Sequence, residues 1–150
     1  MHSYRLTREQ WLPKPLEETF AFFSRPENLE EITPPFLQFH IVRAESELHA
    51  GSLVEYRLRV RGLPMRWTSE ITNWEMPYRF VDTQVRGPYA LWRHQHVFVA
   101  ENDGTRISDD VEYALPFGFV GRLAHALLVR TDVEKIFEYR QQKLAELLGK

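Results

Sequence analysis

The strongest constraint on this sequence is a helical C-terminal stretch, Phe117 to Lys150, which follows a body made almost entirely of predicted strands. Its apolar residues recur at helical spacing, which is typical of an amphipathic helix that packs one face on a core. The two apolar runs are Val120, Leu123, Ala124 and Leu127, then Val133, Phe137, Leu144 and Leu147. Such a helix needs the sheet to cover its apolar face. The sequence therefore predicts an α+β fold with the sheet packed on the terminal helix.

A possible break divides this C-terminal stretch. Thr131 and Glu134 have the spacing of a capping box, which predicts a short helix near 117–128 and a longer one near 132–148. Two interpretations stay open for the longer helix. It either forms the core and nothing more, or it also closes one wall of a cavity.

Length and composition exclude several classes of protein. The chain has 150 residues with no repeat or linker, so we predict a single domain over 1–150. It contains no cysteine, which excludes disulfides and thiolate metal sites. A net charge of −2 and the lack of a long apolar run predict no nucleic-acid partner and no integral membrane segment. We expect a cytoplasmic protein, either a monomer or a homodimer formed through an unpaired edge strand.

The residues before the terminal helix read as strands with two short helices after the first strand. Alternation predicts a first strand over 3–12, and apolar spacing with flanking prolines predicts helices over 16–23 and 26–32. A second strand is expected over 37–44. From residue 52 to residue 115, alternating segments separated by Gly, Pro and Asn-Asp-Gly turns predict four or five antiparallel strands.

The Asn102-Asp103-Gly104 turn fixes an expected register for the last two strands. A tight hairpin at this turn pairs Phe98 with Ile107, His96 with Asp109, His94 with Val111 and Trp92 with Tyr113. The preceding strand then brings Phe80 near His96, Asp82 near His94 and Gln84 near Trp92. Because alternate residues share a face, all of these side chains point the same way, and their apolar members indicate that this face looks inward.

This inward face carries polar residues that need partners: Asp82, Gln84, His94, His96 and Asp109. Buried polar groups are costly unless they are hydrogen-bonded, so we expect Asp82 to pair with His94 and Asp109 with His96. The cluster is either a sealed structural network or the polar end of a cavity. Tyr56, Trp67 and Ile71 are expected to line the same cavity from neighbouring strands.

Other chemistries have weaker support. His94 and His96 point the same way and have metal-ligand spacing, but no further histidine or glutamate clearly completes a set, so we predict no metal and no cofactor. No nucleophile elbow or phosphate-binding glycine loop is present. General acid–base catalysis by either histidine, oriented by an aspartate, stays possible, and we assign no catalytic residue.

The order of elements and several motifs resemble the START-like, or SRPBCC, superfamily with the helix-grip fold, and in particular a small bacterial ligand-binding branch related to polyketide cyclase/dehydrase proteins. The opening Leu-Glu-Glu-Thr-Phe-Ala-Phe-Phe and the later Thr33-Pro34-Pro35 contribute to the resemblance. So do two longer motifs: Trp92-x-His94-x-His96-x-Phe98, and Trp67-x-x-x-Ile71-x-x-Trp74-x-x-Pro77-x-Arg79-Phe80-x-Asp82-x-Gln84-x-x-Gly87-Pro88-Tyr89. The resemblance implies a curved seven-stranded antiparallel sheet wrapped around the C-terminal helix, with a largely apolar cavity between them.

Three functions fit these observations. The first is binding or transport of a small hydrophobic molecule, either aromatic, lipid or isoprenoid-like. The second is a cyclase- or dehydratase-like enzyme that uses a cavity histidine as general base. The third is a protein-interaction module with a packed interior and an exposed apolar patch. The residues predicted to bind the ligand are Tyr56, Trp67, Ile71, Phe80, Asp82, Gln84, Trp92, His94, His96, Phe98, Asp109 and Tyr113.

Overall fold

The computed structural model describes residues 2–150, which form one antiparallel sheet of seven strands. The strands are β1 (Tyr4–Leu12), β2 (His40–Arg43), β3 (Leu53–Val60), β4 (Leu63–Glu75), β5 (Arg79–Arg86), β6 (Leu91–Glu101) and β7 (Gly104–Ala114). Their order across the sheet is β1-β7-β6-β5-β4-β3-β2. The curved sheet packs against a long C-terminal helix, which confirms the predicted α+β helix-grip architecture.

Two short helices follow the first strand, as predicted: α1 (Leu16–Phe23) and α2 (Glu27–Glu31). The second strand is shorter than the expected 37–44. A 3-10 turn occupies Pro35–Leu37, and Gln38 adopts a left-handed conformation with a φ of 47°. Extended backbone cannot include a residue in this region, so the strand begins only at His40.

The C-terminal helix is continuous from residue 118 to residue 148. It consists of α3 (Gly118–Ala124), a π-helical segment (His125–Val129) and α4 (Arg130–Leu148). The predicted break at Thr131 is wrong, because Val129 is helical and no side-chain cap forms there. Glu134 pairs instead with Arg130 one turn earlier. The π-helical turn changes the phase of the helix without ending it.

Only one of the two predicted apolar runs in this helix packs on the sheet. In α4, Val133, Phe137 and Leu144 are buried, whereas Leu147 near the end of the helix is exposed. The prediction for the first run is wrong, since Val120, Leu123 and Leu127 are exposed and Ala124 is half-buried. Gly121 and His125 are buried in their place. The first turns of the helix therefore carry apolar side chains on the outside.

The strand register agrees with the sequence prediction at nearly every position. β6 and β7 pair Trp92 with Tyr113, His94 with Val111, His96 with Asp109 and Phe98 with Ile107. β5 pairs Phe80 with His96 and Asp82 with His94. Pairing of β5 with β6 ends at Thr83 and Arg93, so the predicted contact of Gln84 with Trp92 lies beyond the ladder.

Apolar side chains between the sheet and the helices form two buried clusters. One surrounds Trp67 and Trp92 and includes Val133 and Phe137 of α4. The other includes Phe20 of α1, whose ring meets Phe98 edge-on at 5.0 Å. Among residues 2–150, no helix is both long enough and apolar enough to cross a membrane.

Candidate functional site

A cavity of about 510 Å³ lies between the inner face of the sheet and the C-terminal helix. Strands β3 to β6 supply one wall, and the rest of the lining comes from α4 with its preceding π-helical segment and from the stretch 22–39, which includes the end of α1 and α2. Most of its lining is apolar, from residues such as Val54, Leu58, Ile71 and Ile136. Its size lies within the range of pockets that take small molecules, about 300–1,000 Å³.

Four aromatic residues form a wall of this cavity: Tyr56, Trp67, Tyr89 and Trp92. The Trp67 ring stacks on Tyr56 at 5.7 Å and meets Trp92 edge-on at 5.4 Å. Its indole nitrogen donates a hydrogen bond to Ser69 Oγ at 2.9 Å, so the ring position is fixed at both ends. Burial, together with the Asp82 carboxylate, raises the pKa of the Tyr56 phenol well above its usual value. The wall is therefore rigid, uncharged and suited to contact with a flat apolar molecule.

A network of charged and polar side chains lies beside the aromatic wall. His94 Nε2 is 2.7 Å from Asp109 Oδ1, and His96 Nε2 is 2.6 Å from Asp82 Oδ2. Arg140 of α4 joins them, with Nη2 lying 3.3 Å from His96 Nδ1 and 3.5 Å from Asp109 Oδ1. The predicted pairs lie within ion-pair distance, with Asp82 and His94 3.8 Å apart and Asp109 and His96 3.6 Å apart, but each imidazole is hydrogen-bonded to the other carboxylate.

The hydrogen bonds determine which nitrogen of each imidazole carries the proton. Arginine only donates, so His96 Nδ1 accepts from Arg140 and His96 Nε2–H donates to Asp82. His94 Nε2–H donates to the Asp109 carboxylate in the same way. In a neutral His94, Nδ1 is then an acceptor, and it has no hydrogen-bond partner among residues 2–150. Asp82 is the most exposed carboxylate of the network, and it lines the cavity together with His94.

Burial and the contacts within the network shift the pKa values of its histidine and aspartate side chains. Burial, and then the neighbouring His94, lowers the pKa of His96 to about 4, so this ring is neutral at pH 7. Burial opposes ionisation of Asp109, but Arg140 and the hydrogen bond from His94 outweigh it and hold the pKa of the carboxyl below its usual range. The His96 hydrogen bond similarly overcomes burial and lowers the pKa of Asp82. Of the two carboxylates, Asp109 is the one in contact with the Arg140 guanidinium.

Arg140 itself is held by aromatic rings as well as by the network. Its guanidinium carbon lies 5.2 Å from the centre of the Phe23 ring and 5.9 Å from that of Phe137. Its Nε is buried without a hydrogen-bond partner among the described residues. Arg140 also lines the cavity, so its guanidinium contributes a positive charge to the polar end of the site.

An ion pair lies at the mouth of the cavity. Arg61 and Gly62 form the two-residue turn between β3 and β4, both with positive φ, as a type I′ hairpin requires. This turn points Arg61 at α4, where its Nε and Nη2 donate to the Asp132 carboxylate at 3.0 and 2.9 Å. Both residues line the cavity, and the exposed Phe36 lines it as well.

Comparison with family profiles matches residues 12–136 to a family described as polyketide cyclase / dehydrase and lipid transport. The match covers most of the chain. The chain belongs to this polyketide cyclase / dehydrase and lipid transport family. Both the family and the fold fit a domain that binds a small hydrophobic ligand. No curated protein matches the chain by sequence.

Solved structures of this fold come from distant organisms. A protein from Thermus thermophilus is 20% identical, with a TM-score of 0.68 over 96% of this chain and 99% of its own. A protein from Chromobacterium violaceum is 14% identical, with a TM-score of 0.75 over 97% of this chain and 98% of its own. Ginseng major latex-like protein 151 is 12% identical, with a TM-score of 0.70 over 97% of both chains. At these identities the likeness concerns the fold alone.

In this member of the family, most of the sequence-predicted site residues lie on the cavity wall. The structure places eight of them there: Tyr56, Trp67, Ile71, Phe80, Asp82, Trp92, His94 and His96. The other four lie away from the cavity surface. Gln84 exchanges hydrogen bonds with the backbone of Tyr89, and Phe98 belongs to the second core cluster. Asp109 lies behind His94, and the Tyr113 hydroxyl is hydrogen-bonded to His125 at 2.8 Å.

Sequence reasoning missed Arg140. It lies three residues after Phe137 and four before Leu144, which places it on the buried face of α4 among apolar residues. The sequence does contain a signal for this residue, since Arg140 is a charged residue in an otherwise apolar helical stripe. A buried arginine requires carboxylate partners, so this position points to the aspartates of the sheet.

Donor atoms of Asp82, His94 and His96 lie within 4.8 Å of one another, a spacing at which side chains can hold a metal ion. Two contacts disfavour this use. His96 Nε2 already donates to Asp82, and the Arg140 guanidinium next to the same ring would repel a cation. The arrangement is better suited to a hydrogen-bonding head group than to a divalent ion.

Proposed function

We propose that the protein binds, and carries, a small and largely apolar molecule with one hydrogen-bonding head group. The observation that carries the proposal is the juxtaposition of the rigid aromatic wall with the Asp82–His94–Arg140 end of the same cavity. Apolar contact with Trp67 and Trp92 supplies affinity, and the polar end orients the ligand.

The chemistry of the polar end favours a head group that donates a hydrogen bond. Asp82 is an ionised carboxylate, and Nδ1 of a neutral His94 is an acceptor. A hydroxyl has one donor and can satisfy either of these atoms, whereas an amine can satisfy both. The hydroxyl oxygen can also accept a hydrogen bond from the Arg140 guanidinium, which lines the cavity. We therefore propose an alcohol or a phenol as the head group.

Native mass spectrometry of the purified chain, followed by extraction, tests whether such a molecule is bound. A matched pair of probes then tests recognition, because 2-naphthol and naphthalene differ only in the hydroxyl. We expect 2-naphthol to quench the fluorescence of the cavity tryptophans Trp67 and Trp92 at lower concentration than naphthalene does. If neither compound changes the fluorescence or the melting temperature, the binding proposal is wrong.

The substitution Asp82→Asn tests the head-group contact. A hydrogen bond to a charged group contributes about 1.5–3 kcal/mol, so we expect affinity for 2-naphthol to fall about tenfold or more. Affinity for naphthalene should stay within about twofold, because it makes no such bond. Asp103→Asn, in the exposed turn between β6 and β7, is the matched control. Equal losses for both compounds would mean that Asp82 maintains the pocket and does not recognise a head group.

A second candidate function is acid–base catalysis on the bound molecule. His94 favours it, since its Nε2–H is anchored by Asp109 while Nδ1 is free to take a proton from a cavity ligand. Turnover of any molecule extracted from the protein, lost in His94→Gln with binding retained, would support an enzyme. Binding without turnover would support the carrier.

The third hypothesis, a protein-interaction module, predicts a packed interior. The cavity between the sheet and the C-terminal helix disfavours this hypothesis. A cytoplasmic location, a single domain and a monomeric or homodimeric state stay predictions from the sequence.

A further inference from the structure

An exposed apolar patch covers the beginning of the C-terminal helix. Five large side chains form this patch, and the exposed fraction of each is high: Phe117 83%, Phe119 70%, Val120 65%, Leu123 49% and Leu127 68%. Single exposed apolar residues are ordinary, but five within eleven positions form a contiguous surface that marks an interaction site.

The backbone at the start of the patch keeps these side chains outside. Phe117 has a φ of 70°, a conformation that residues with a side chain rarely adopt, and its ring is almost fully exposed. Behind the patch, Gly121 lies too close to the Pro116 carbonyl to accommodate a side chain. His125 attaches this part of the helix to the sheet, through Tyr113 and through a Tyr4 ring stacked at 3.3 Å. The helix is therefore fixed with its apolar side outward.

The charged residues within the helical segment that carries the patch are basic. Between residues 117 and 131 the sequence contains Arg122 and Arg130 but no aspartate or glutamate. Arg130 pairs with Glu134 one turn further on, whereas Arg122 has no ion-pair partner among residues 2–150. The segment 117–131 is therefore locally basic, although the net charge of the whole chain is −2.

The patch adjoins the mouth of the cavity. Leu127 precedes Asp132 of the mouth ion pair by five residues, or about 8 Å along a helix. Val129, between them, already lines the cavity. Phe36, which lines the cavity, and Leu63, the neighbour of the cavity-lining Gly62, are also large, apolar and exposed. Exposed apolar side chains near the cavity are therefore not confined to the helix.

We propose that this patch docks on the surface of a membrane that contains anionic lipids, with the cavity mouth facing the bilayer. Apolar side chains that insert below the head groups, flanked by arginine and free of acidic residues, are the features of segments that lie on a membrane. A second copy of the chain is a poorer occupant, because a two-fold contact through this patch would cover Arg122 of both copies with a segment that offers no acidic partner. The inference concerns docking and does not depend on which molecule the cavity binds.

Co-sedimentation with vesicles tests the proposal on the full chain. We expect the chain to bind vesicles of phosphatidylcholine with about one third phosphatidylglycerol, and to bind phosphatidylcholine alone at least about tenfold more weakly. Leu127→Glu should reduce binding to the anionic vesicles about tenfold or more, since it places a charge among the inserted side chains. Val99→Glu, at an exposed valine of β6, is the matched control and should bind as the unmodified chain does.

Naphthol binding measured on the same variants separates docking from the cavity. Leu127→Glu should keep its affinity for 2-naphthol, so a loss confined to vesicle binding assigns the patch to docking. Failure of the unmodified chain to bind anionic vesicles would overturn the proposal. So would equal vesicle binding by the Leu127→Glu chain. A dimer in analytical ultracentrifugation that becomes a monomer in Leu127→Glu, without vesicle binding, would identify the patch as a subunit interface instead.

Discussion

His94 donates its hydrogen bond to Asp109, although the strand register pairs Asp109 with His96. His96 in turn donates to Asp82, whose register partner is His94. The two imidazole rings stack at 3.6 Å, and each reaches diagonally to a carboxylate on a different neighbouring strand. The crossed bonds tie β5, β6 and β7 together on the inner face of the sheet, and Arg140 ties α4 to them.

This arrangement predicts a large loss of stability when Asp109 loses its charge. In Asp109→Asn, Arg140 and His94 both lose a buried carboxylate partner, and breaking a buried pair in this way typically costs about 3–5 kcal/mol. Urea unfolding followed by tryptophan fluorescence measures the change in the free energy of unfolding. Asp110→Asn is the control, since Asp110 is the next residue of β7 and pairs with Arg5 on the surface. Its effect should stay below about 1 kcal/mol. Similar losses in the two variants would show that the network adds no stability.

The lowered pKa of His96 predicts a dependence of stability on pH. Between about 4 and the ordinary value of 6.5, the unfolded chain binds a proton at this residue that the folded protein excludes. Stability should therefore fall as the pH drops through this window, by about 1.4 kcal/mol for each unit of difference in pKa. The lowered pKa values of Asp82 and Asp109 act in the same direction at lower pH, where carboxylates take up protons.

Unfolding free energies at several pH values between about 4 and about 7 test this dependence. His96→Gln should flatten the slope in that range, whatever it does to stability at neutral pH. His40→Gln, at an exposed histidine of β2, should leave the slope unchanged. A slope that survives in His96→Gln would place the titrating group elsewhere.

The inner face of the sheet was predictable because alternation and the Asn-Asp-Gly turn fix which residues share a face. That reasoning placed Asp82, His94, His96 and Asp109 together, as the structure has them. It did not give the hydrogen-bond partners. Register fixes positions of Cα atoms, whereas the direction in which an imidazole leans along its strand depends on packing around it.

The C-terminal helix was the harder part to predict. Local patterns predicted Thr131 as a helix cap. A helix begins where backbone N–H groups lack an intrahelical partner, but the helical turn before Thr131 already supplies these partners. The apolar run at 120–127 was expected to be buried, but its large side chains are exposed. Sequence spacing identifies an apolar face of a helix and does not say what covers that face. Arg140 was missed for a related reason, since its partners lie on strands distant in sequence.

The ion pair at the cavity mouth predicts a kinetic effect. Arg61 and Asp132 join the β3–β4 turn to α4 across the opening, so Asp132→Asn should speed both uptake and release of 2-naphthol. Stability should change by less than about 1 kcal/mol, because both side chains are partly exposed. Stopped-flow quenching of tryptophan fluorescence measures both rates. Glu134→Gln removes the Arg130 pair on the same helix and is the control, with unchanged rates. Rates unaffected by Asp132→Asn would show that ligands pass elsewhere.

The contacts of His125 predict that this residue is a main attachment of the first part of the C-terminal helix to the sheet. Its ring stacks on Tyr4 and its Nε2 is 2.8 Å from the Tyr113 hydroxyl, whereas the large apolar side chains around it are exposed. His125→Ala removes both contacts and leaves a buried hydroxyl unpaired, which costs about 1–3 kcal/mol. Hydrogen exchange should then become faster across 118–129 but not across the buried positions of α4, such as Phe137 and Leu144. Leu127→Ala, in the same segment but exposed, should change neither region. Faster exchange along the whole helix would mean instead that α3, the π-helical segment and α4 unfold as one unit.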